Sequence, residues 1–220
     1  MQIAILIFDK LTALDAIGPY EVLRSVPGWE VKFVGLEKGQ VRTDSGALGL
    51  SADYSLEEVS EADIVLVPGG EGNRPLLSDE AVLSWLRQID VGSKWTTSVC
   101  TGSLVLAAAG LLDGRQATSH WLYHDQLREL GANPVAARFV EDGKVITAAG
   151  VSAGIDMALH LVGQEAGPEV AQAIQLGIEY DPQPPFDAGS PGKAPAPIVE
   201  LVSSVAAPVG EWTGASSERA

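Results

Sequence analysis

Short runs suited to buried strands alternate with helical stretches along this chain, and that alternation confines it to an α/β fold with a mostly parallel central sheet. Residues 2–8 give the first strand, and a helix over about 15–25 follows with Ile17, Tyr20, Val22 and Leu23 on its apolar side. Residues 29–36 give the second strand, and 41–50 a hairpin-like excursion turning at Asp44-Ser45-Gly46. A short strand at 63–67 runs into Pro68-Gly69-Gly70-Glu71-Gly72, and a helix is predicted over about 75–89. The next strand reaches Val99, and its helix closes at Gly110, where a left-handed residue is expected. A strand at 115–119 and a helix at 121–130 come next. Two strands near 137–140 and 144–148 flank Asp142-Gly143, and helices at about 152–165 and 168–177 complete a body spanning 1–180. Residues 181–206 are a Pro- and Gly-rich extension with a short helix over about 198–205, and 207–220 are expected to be disordered.

At 220 residues, 46% of them hydrophobic, the chain can bury one substantial core. No apolar run reaches bilayer length, and the N-terminus lacks the basic region of a signal peptide, so no membrane partner is expected. The single cysteine excludes an internal disulfide framework and fits a reducing, cytoplasmic setting. A formal net charge of −15, with 14 scattered Lys and Arg, argues against nucleic acid. The acidity serves solubility.

That one cysteine, Cys100, lies where a strand ends and a helix begins, in Ser98-Val99-Cys100-Thr101-Gly102. Unpaired N–H groups at a helix start favour the thiolate, and a sharp turn there lifts a side chain into a pocket, as in the nucleophile elbow of hydrolases. A small buried hydrophobe is the alternative for a free cysteine.

In an open parallel sheet, ligands bind beyond the carboxyl ends of the strands. Asp15 at the start of the first helix, the glycine loop 69–72 and Cys100 all converge on that edge. Asp15 alone reads as an ordinary first-turn carboxylate, but beside a thiol it can donate or shuttle a proton. The loop lacks the Lys-Ser/Thr of a phosphate cradle. Its economical use is to pair the Gly70 N–H with the Thr101 N–H as oxyanion-type donors. His120 and His124 share a helix face, yet no nearby Glu or second Cys supports a metal, so none is assigned. His120 is placed at the pocket border, with Ile17, Val151 and Ser152 in its wall.

The chain resembles the ThiJ/PfpI superfamily. The matching segments are Leu14-Asp15-Ala16-Ile17-Gly18-Pro19, Val67-Pro68-Gly69-Gly70-Glu71-Gly72, the Cys100 elbow, Ala117-Thr118-Ser119-His120-Trp121 and Ala153-Gly154-Ile155-Asp156. The resemblance implies a flavodoxin-like three-layer sandwich with a cysteine at the elbow. Within the superfamily the chain is similar to the branch that hydrates isonitriles (isocyanides) to N-substituted formamides without a metal or organic cofactor. It implies a nucleophile at Cys100, an essential carboxyl at Asp15, a supporting Thr101 and a homodimer. Protease-like members carry His directly after the cysteine, where this chain has Thr101. Glyoxalase- and chaperone-like members carry Glu in place of Asp15.

The chemistry implied is attack of a Cys100 thiolate on the isocyano carbon while Asp15, as the acid, protonates that carbon. Water then adds to the thioimidate with Asp15 as base. The competing expectations are a small-molecule sensor of the transcriptional-regulator type and a glyoxalase- or protease-like cysteine enzyme.

Overall fold

The structure, a computed structural model, describes residues 1–205. Ile3, Ala4, Ile5 and Leu6 are fully buried, so β1 (Gln2–Leu6) is a central strand, covered on both faces. From it the chain enters α1 (Ala13–Leu23), β2 (Glu30–Gly35), the antiparallel pair β3 (Gly39–Arg42) and β4 (Gly49–Ala52), and the two-residue β5 (Tyr54–Ser55). Next come β6 (Ile64–Val67), α2 (Glu80–Gly92), β7 (Trp95–Val99) and α3 (Gly102–Ala108). The remainder of the body is β8 (Gln116–Ala117), α4 (His124–Glu129), β9 (Asn133–Pro134), β10 (Phe139–Asp142), β11 (Val145–Ala148), α5 (Ala153–Ala166) and α6 (Pro168–Gly177).

Seven strands form one sheet in the order β10-β11-β7-β6-β1-β2-β5. All neighbours are parallel except β10 and β11, which turn back at Asp142-Gly143. Helices cover both faces, giving the expected sandwich. Two glycines bring α1 and α5 together over β7. A Cβ on Gly18 would meet Ile155 Cγ1 at 3.0 Å, and one on Gly154 would meet Pro19 and Val99 at 2.9 Å.

Three expectations are corrected. Residues 115–119 do not join the main sheet; only Gln116–Ala117 pair, with β9 in a separate ladder. Side chains from β10 and β11 take the donors instead: Gln116 N–H goes to Asp142 Oδ2 (2.8 Å) and Thr118 N–H to Thr147 Oγ1 (2.8 Å). The helix expected from 75 is interrupted, because the Asp79 side chain accepts from the Ala81 and Val82 N–H groups and starts α2 afresh. Trp121–Tyr123 form a 3₁₀ turn before α4, its first turn capped by His120 Nδ1 accepting from Leu122 N–H (3.4 Å).

Met1–Tyr180 form one compact unit and a second begins at Asp181. In the second, residues 181–195 carry no helix or strand before α7 (Ala196–Val205). The tail expected to be disordered, 207–220, lies outside the described residues. No helix among the described residues is long and apolar enough to cross a membrane.

Candidate active site

Cys100 follows β7 directly and adopts φ +57°, a left-handed conformation for a non-glycine residue. Such a conformation costs roughly 1–3 kcal/mol and persists only when the surroundings impose it. Here they do. The Cys100 N–H is shared by Ala148 O and Ala149 O at 3.1 Å each, and its carbonyl accepts from Ser119 Oγ (3.1 Å) and Ser103 Oγ (3.2 Å). Asn73 Nδ2 donates to the Thr101 carbonyl at 2.8 Å. Gly102 then lets α3 begin against β6, since a Cβ there would lie 2.0 Å from Val67 O.

Asp15 sits in the first turn of α1 and is fully buried. Its Oδ2 accepts from Gly69 N–H at 2.9 Å, while its Oδ1 has no hydrogen-bond partner. A Cβ on Gly69 would lie 2.9 Å from that Oδ2 and 2.6 Å from Thr101 N, so the loop must approach bare. Burial pushes the Asp15 carboxyl from 3.8 up to about 7, against the Gly69 N–H and the Cys100 thiol, with Asp44 adding to the rise.

The thiol is pushed further, up to about 12, chiefly by burial and then by the Asp15 charge. The N–H groups of Val151 and Thr101 face the sulfur and favour its anion without outweighing those effects. The backbone donors thus favour the thiolate, as expected of this turn, but burial opposes them. The helix at its back, α3, is only seven residues long, and a short dipole does not offset burial beside a carboxylate. Burial thus disfavours charge on both members of the pair, the thiol and the carboxyl alike.

The donor pair also differs from expectation. Gly70 N–H is committed to Thr101 Oγ1 (3.1 Å). The sulfur is faced instead by Thr101 N–H and Val151 N–H. Val151 thus enters the site through its backbone. Ser152 is exposed, and its hydroxyl accepts from Arg138 Nη2 (3.1 Å). Ile17 is half-buried two residues beyond Asp15, a step of about 200° around α1, so the two do not share a face.

His120 is half-buried, 5.8 Å between ring centres from Trp121 and 6.0 Å from Tyr123. Burial and His124 hold its imidazole below the ordinary range, so it stays neutral. His124 Nε2 lies 3.4 Å from Thr118 Oγ1. Among the described residues no group of three or more His, Cys, Asp or Glu is placed to hold a metal ion. Sequence reasoning missed Tyr123, whose phenol is raised by burial and by the charges of Cys100 and Glu71. It also missed Asn73, Ser103 and Ser119. Ser103, three residues past the cysteine, was the one open to local reading; the others meet the elbow from 28 and 19 residues away.

The site can bring one proton and one nucleophile to a single atom. Residues 1–164 match the model of the DJ-1/PfpI family. Isonitrile hydratase of Pseudomonas putida is 46% identical over 208 residues, covering 94% of this chain and 91% of that protein. The HTH-type transcriptional regulator CdhR of Pseudomonas aeruginosa is 36% identical over 180 residues, 79% of this chain but 52% of the regulator. Among solved structures, a ThiJ/PfpI family protein from Pseudomonas syringae superposes with a TM-score of 0.90 at 37% identity, over 93% of this chain and 85% of its own.

Proposed function

The chain belongs to the DJ-1/PfpI family, and from that membership we propose that it is an isonitrile hydratase, converting an isocyanide and water to an N-substituted formamide. The observation that carries this reading is the likeness to the Pseudomonas putida isonitrile hydratase along almost the whole of both chains. The geometry supplies the chemistry, with catalysis housed in residues 1–180.

The isocyano carbon accepts a proton and a nucleophile at the same atom. Cys100 is the nucleophile and Asp15 the proton carrier. The Asp15 carboxylate takes the thiol proton and delivers it to carbon as sulfur attacks, so R–N≡C becomes the thioimidate R–N=CH–S–Cys100. Asp15, ionised again, removes a proton from water as it adds to that carbon and passes it to the nitrogen, giving R–NH–CH(OH)–S–Cys100, whose remaining hydroxyl proton goes by way of Asp15 to the departing sulfur. Collapse expels the Cys100 thiol and leaves R–NH–CHO. The N–H groups of Thr101 and Val151 stabilise negative charge on sulfur as it attacks and as it leaves. Thr101 serves twice, since its hydroxyl also fixes the Gly70 amide. Proton count and oxidation state balance with water as the sole co-reactant, so the scheme calls on no cofactor.

Product analysis with cyclohexyl isocyanide tests the reading. N-cyclohexylformamide from the wild type but not from Cys100→Ala supports it, and no formamide from either removes it. Binding of the isocyanide without turnover would return the regulator-like sensor as the better account. We further assign the enzyme to the cytoplasm, as its lone cysteine suits, and to a homodimer. Phe186, Ile198, Leu201 and Val202 are apolar and exposed, which supports a partner for the segment beyond 180. Light scattering on the purified protein reads the oligomeric state directly.

A further inference from the structure

Val151 is β-branched, yet its φ is +31°, a conformation such a residue adopts only under constraint. It lies in the short link between β11 and α5, and its N–H is one of the two that face the Cys100 sulfur. The residues on either side of it are held by a single side chain and its own backbone. The Arg138 carbonyl accepts from Ala149 N–H at 3.0 Å, Arg138 Nη2 donates to Ser152 Oγ at 3.1 Å, and Arg138 Nε is hydrogen-bonded to Asp156 Oδ2. The β11 end of the link is also tied to the elbow, because Ala148 O and Ala149 O accept the Cys100 N–H. Arg138 thus grips the link before and after the one residue whose conformation is strained.

We propose that Arg138, paired with Asp156 and Ser152, is a positioning residue for the hydration reaction: it holds the 149–152 link so that the Val151 N–H stays on the Cys100 sulfur. The inference rests on Cys100 being the nucleophile. A purely structural role is a poor account of this cluster. The Arg138 side chain is 46% exposed, and exposed ion pairs add little to folding. A planar guanidinium bonded to Asp156 and Ser152, with the Tyr180 phenol also against it, while its own carbonyl holds Ala149 is suited instead to fixing geometry. The titratable groups facing the thiol, Asp15 on α1 and Tyr123 in the 3₁₀ turn, belong to other elements and are left in place when Arg138 is changed.

The test uses the full-length protein and its single cysteine. Cys100 alkylation by iodoacetamide is followed by mass at pH 9, and cyclohexyl isocyanide hydration is measured in parallel, for wild type, Arg138→Ala, Arg138→Lys and Ser152→Ala. With the N–H displaced from sulfur, Arg138→Ala is expected to alkylate about threefold to fourfold more slowly, the net of a rise of about one pH unit in the thiol's titration and the greater nucleophilicity of a more basic thiolate. Its kcat should fall by about tenfold with KM within about twofold, because the N–H acts on sulfur and not on bound substrate. Arg138→Lys, which keeps the charge but not the fork, should recover part of both. Alkylation and kcat both unchanged in Arg138→Ala would overturn the proposal. So would a rise confined to KM, which would place Arg138 against the substrate. Should Arg138→Ala fail to fold, Ser152→Ala decides on the same two readings. Should the wild type give no formamide, the hydration reading falls while the alkylation ratio still decides the clamp.

Discussion

The two ends of β7 handle buried acidity in opposite ways. At the end where the strand begins, Glu165 from α5 is nearly buried and fully served: Lys94 Nζ donates to one oxygen at 2.6 Å and Trp95 Nε1 to the other at 2.7 Å. Beside it Asp90 is paired with Lys144 at 3.0 Å and accepts from Thr96 Oγ1. Where the strand ends, Asp15 is buried with a single amide on Oδ2, an unpartnered Oδ1 and a thiol that shares its desolvation. One end spends its polar groups on holding the sheet to α5 and α2. The other buries a carboxyl on few partners, and that burial raises its titration toward neutral pH. The reacting end of the strand is thus the end whose buried carboxyl is left partly unsatisfied.

The sharpest way to break the comparison is Asp15→Asn. Hydration should fall by about a thousandfold or more, since Asp15 is the carboxyl set against the thiol and the amide that replaces it cannot carry the proton. Stability should move the other way. A carboxyl raised from 3.8 to about 7 favours the folded state fully only below about pH 4, and that contribution is lost as pH rises to about 7. The penalty above pH 7 is at most about 4 kcal/mol, so Asp15→Asn should gain stability at pH 8 and little at pH 4. Denaturant unfolding at the two pH values reads this; a variant less stable at pH 8 would show that burial is not what sets the carboxyl.

The pH profile comes next in size. Burial holds the thiol in its neutral form, so the state expected to react has Asp15 ionised and one proton to share between the two groups. Turnover kcat/KM should rise by about tenfold from pH 6 to pH 8, with its midpoint near 7. A rate that fell across that window would mean the acid form of Asp15 starts the reaction.

Much of this site was legible because its cues are local. A lone cysteine at a strand-to-helix junction, a glycine loop after a buried strand and an acid at a helix start can each be read within a few residues, and parallel topology brings such ends to one edge. What escaped reading depends on conformation or distance. No propensity suggests that a valine will take a positive φ, so Val151 was read as a wall residue and its N–H was overlooked. The Gly70 amide was taken as free because the Thr101 hydroxyl that occupies it is 31 residues away. The segment 115–119 reads as a strand by composition, yet Asp142 and Thr147 compete for its backbone donors. Two-residue β5 is too short for any periodicity to register.

The satisfied end of β7 supplies the smaller tests. Glu165→Ala strands the Trp95 N–H in a partly buried site and removes the anion from Lys94, and should cost about 1–3 kcal/mol. Hydration should persist within about twofold, because the lost contacts lie a full strand away from sulfur. Lys144→Ala should cost still less, about 0.5–1 kcal/mol: its side chain is one-third exposed, and Asp90 keeps the Thr96 hydroxyl when the cation is gone. Thermal unfolding of both variants beside their kcat separates the two ends of the strand. If Glu165→Ala lowered kcat tenfold with the fold intact, β7 would be transmitting strain from one end to the other, and the division between a holding end and a reacting end would not stand.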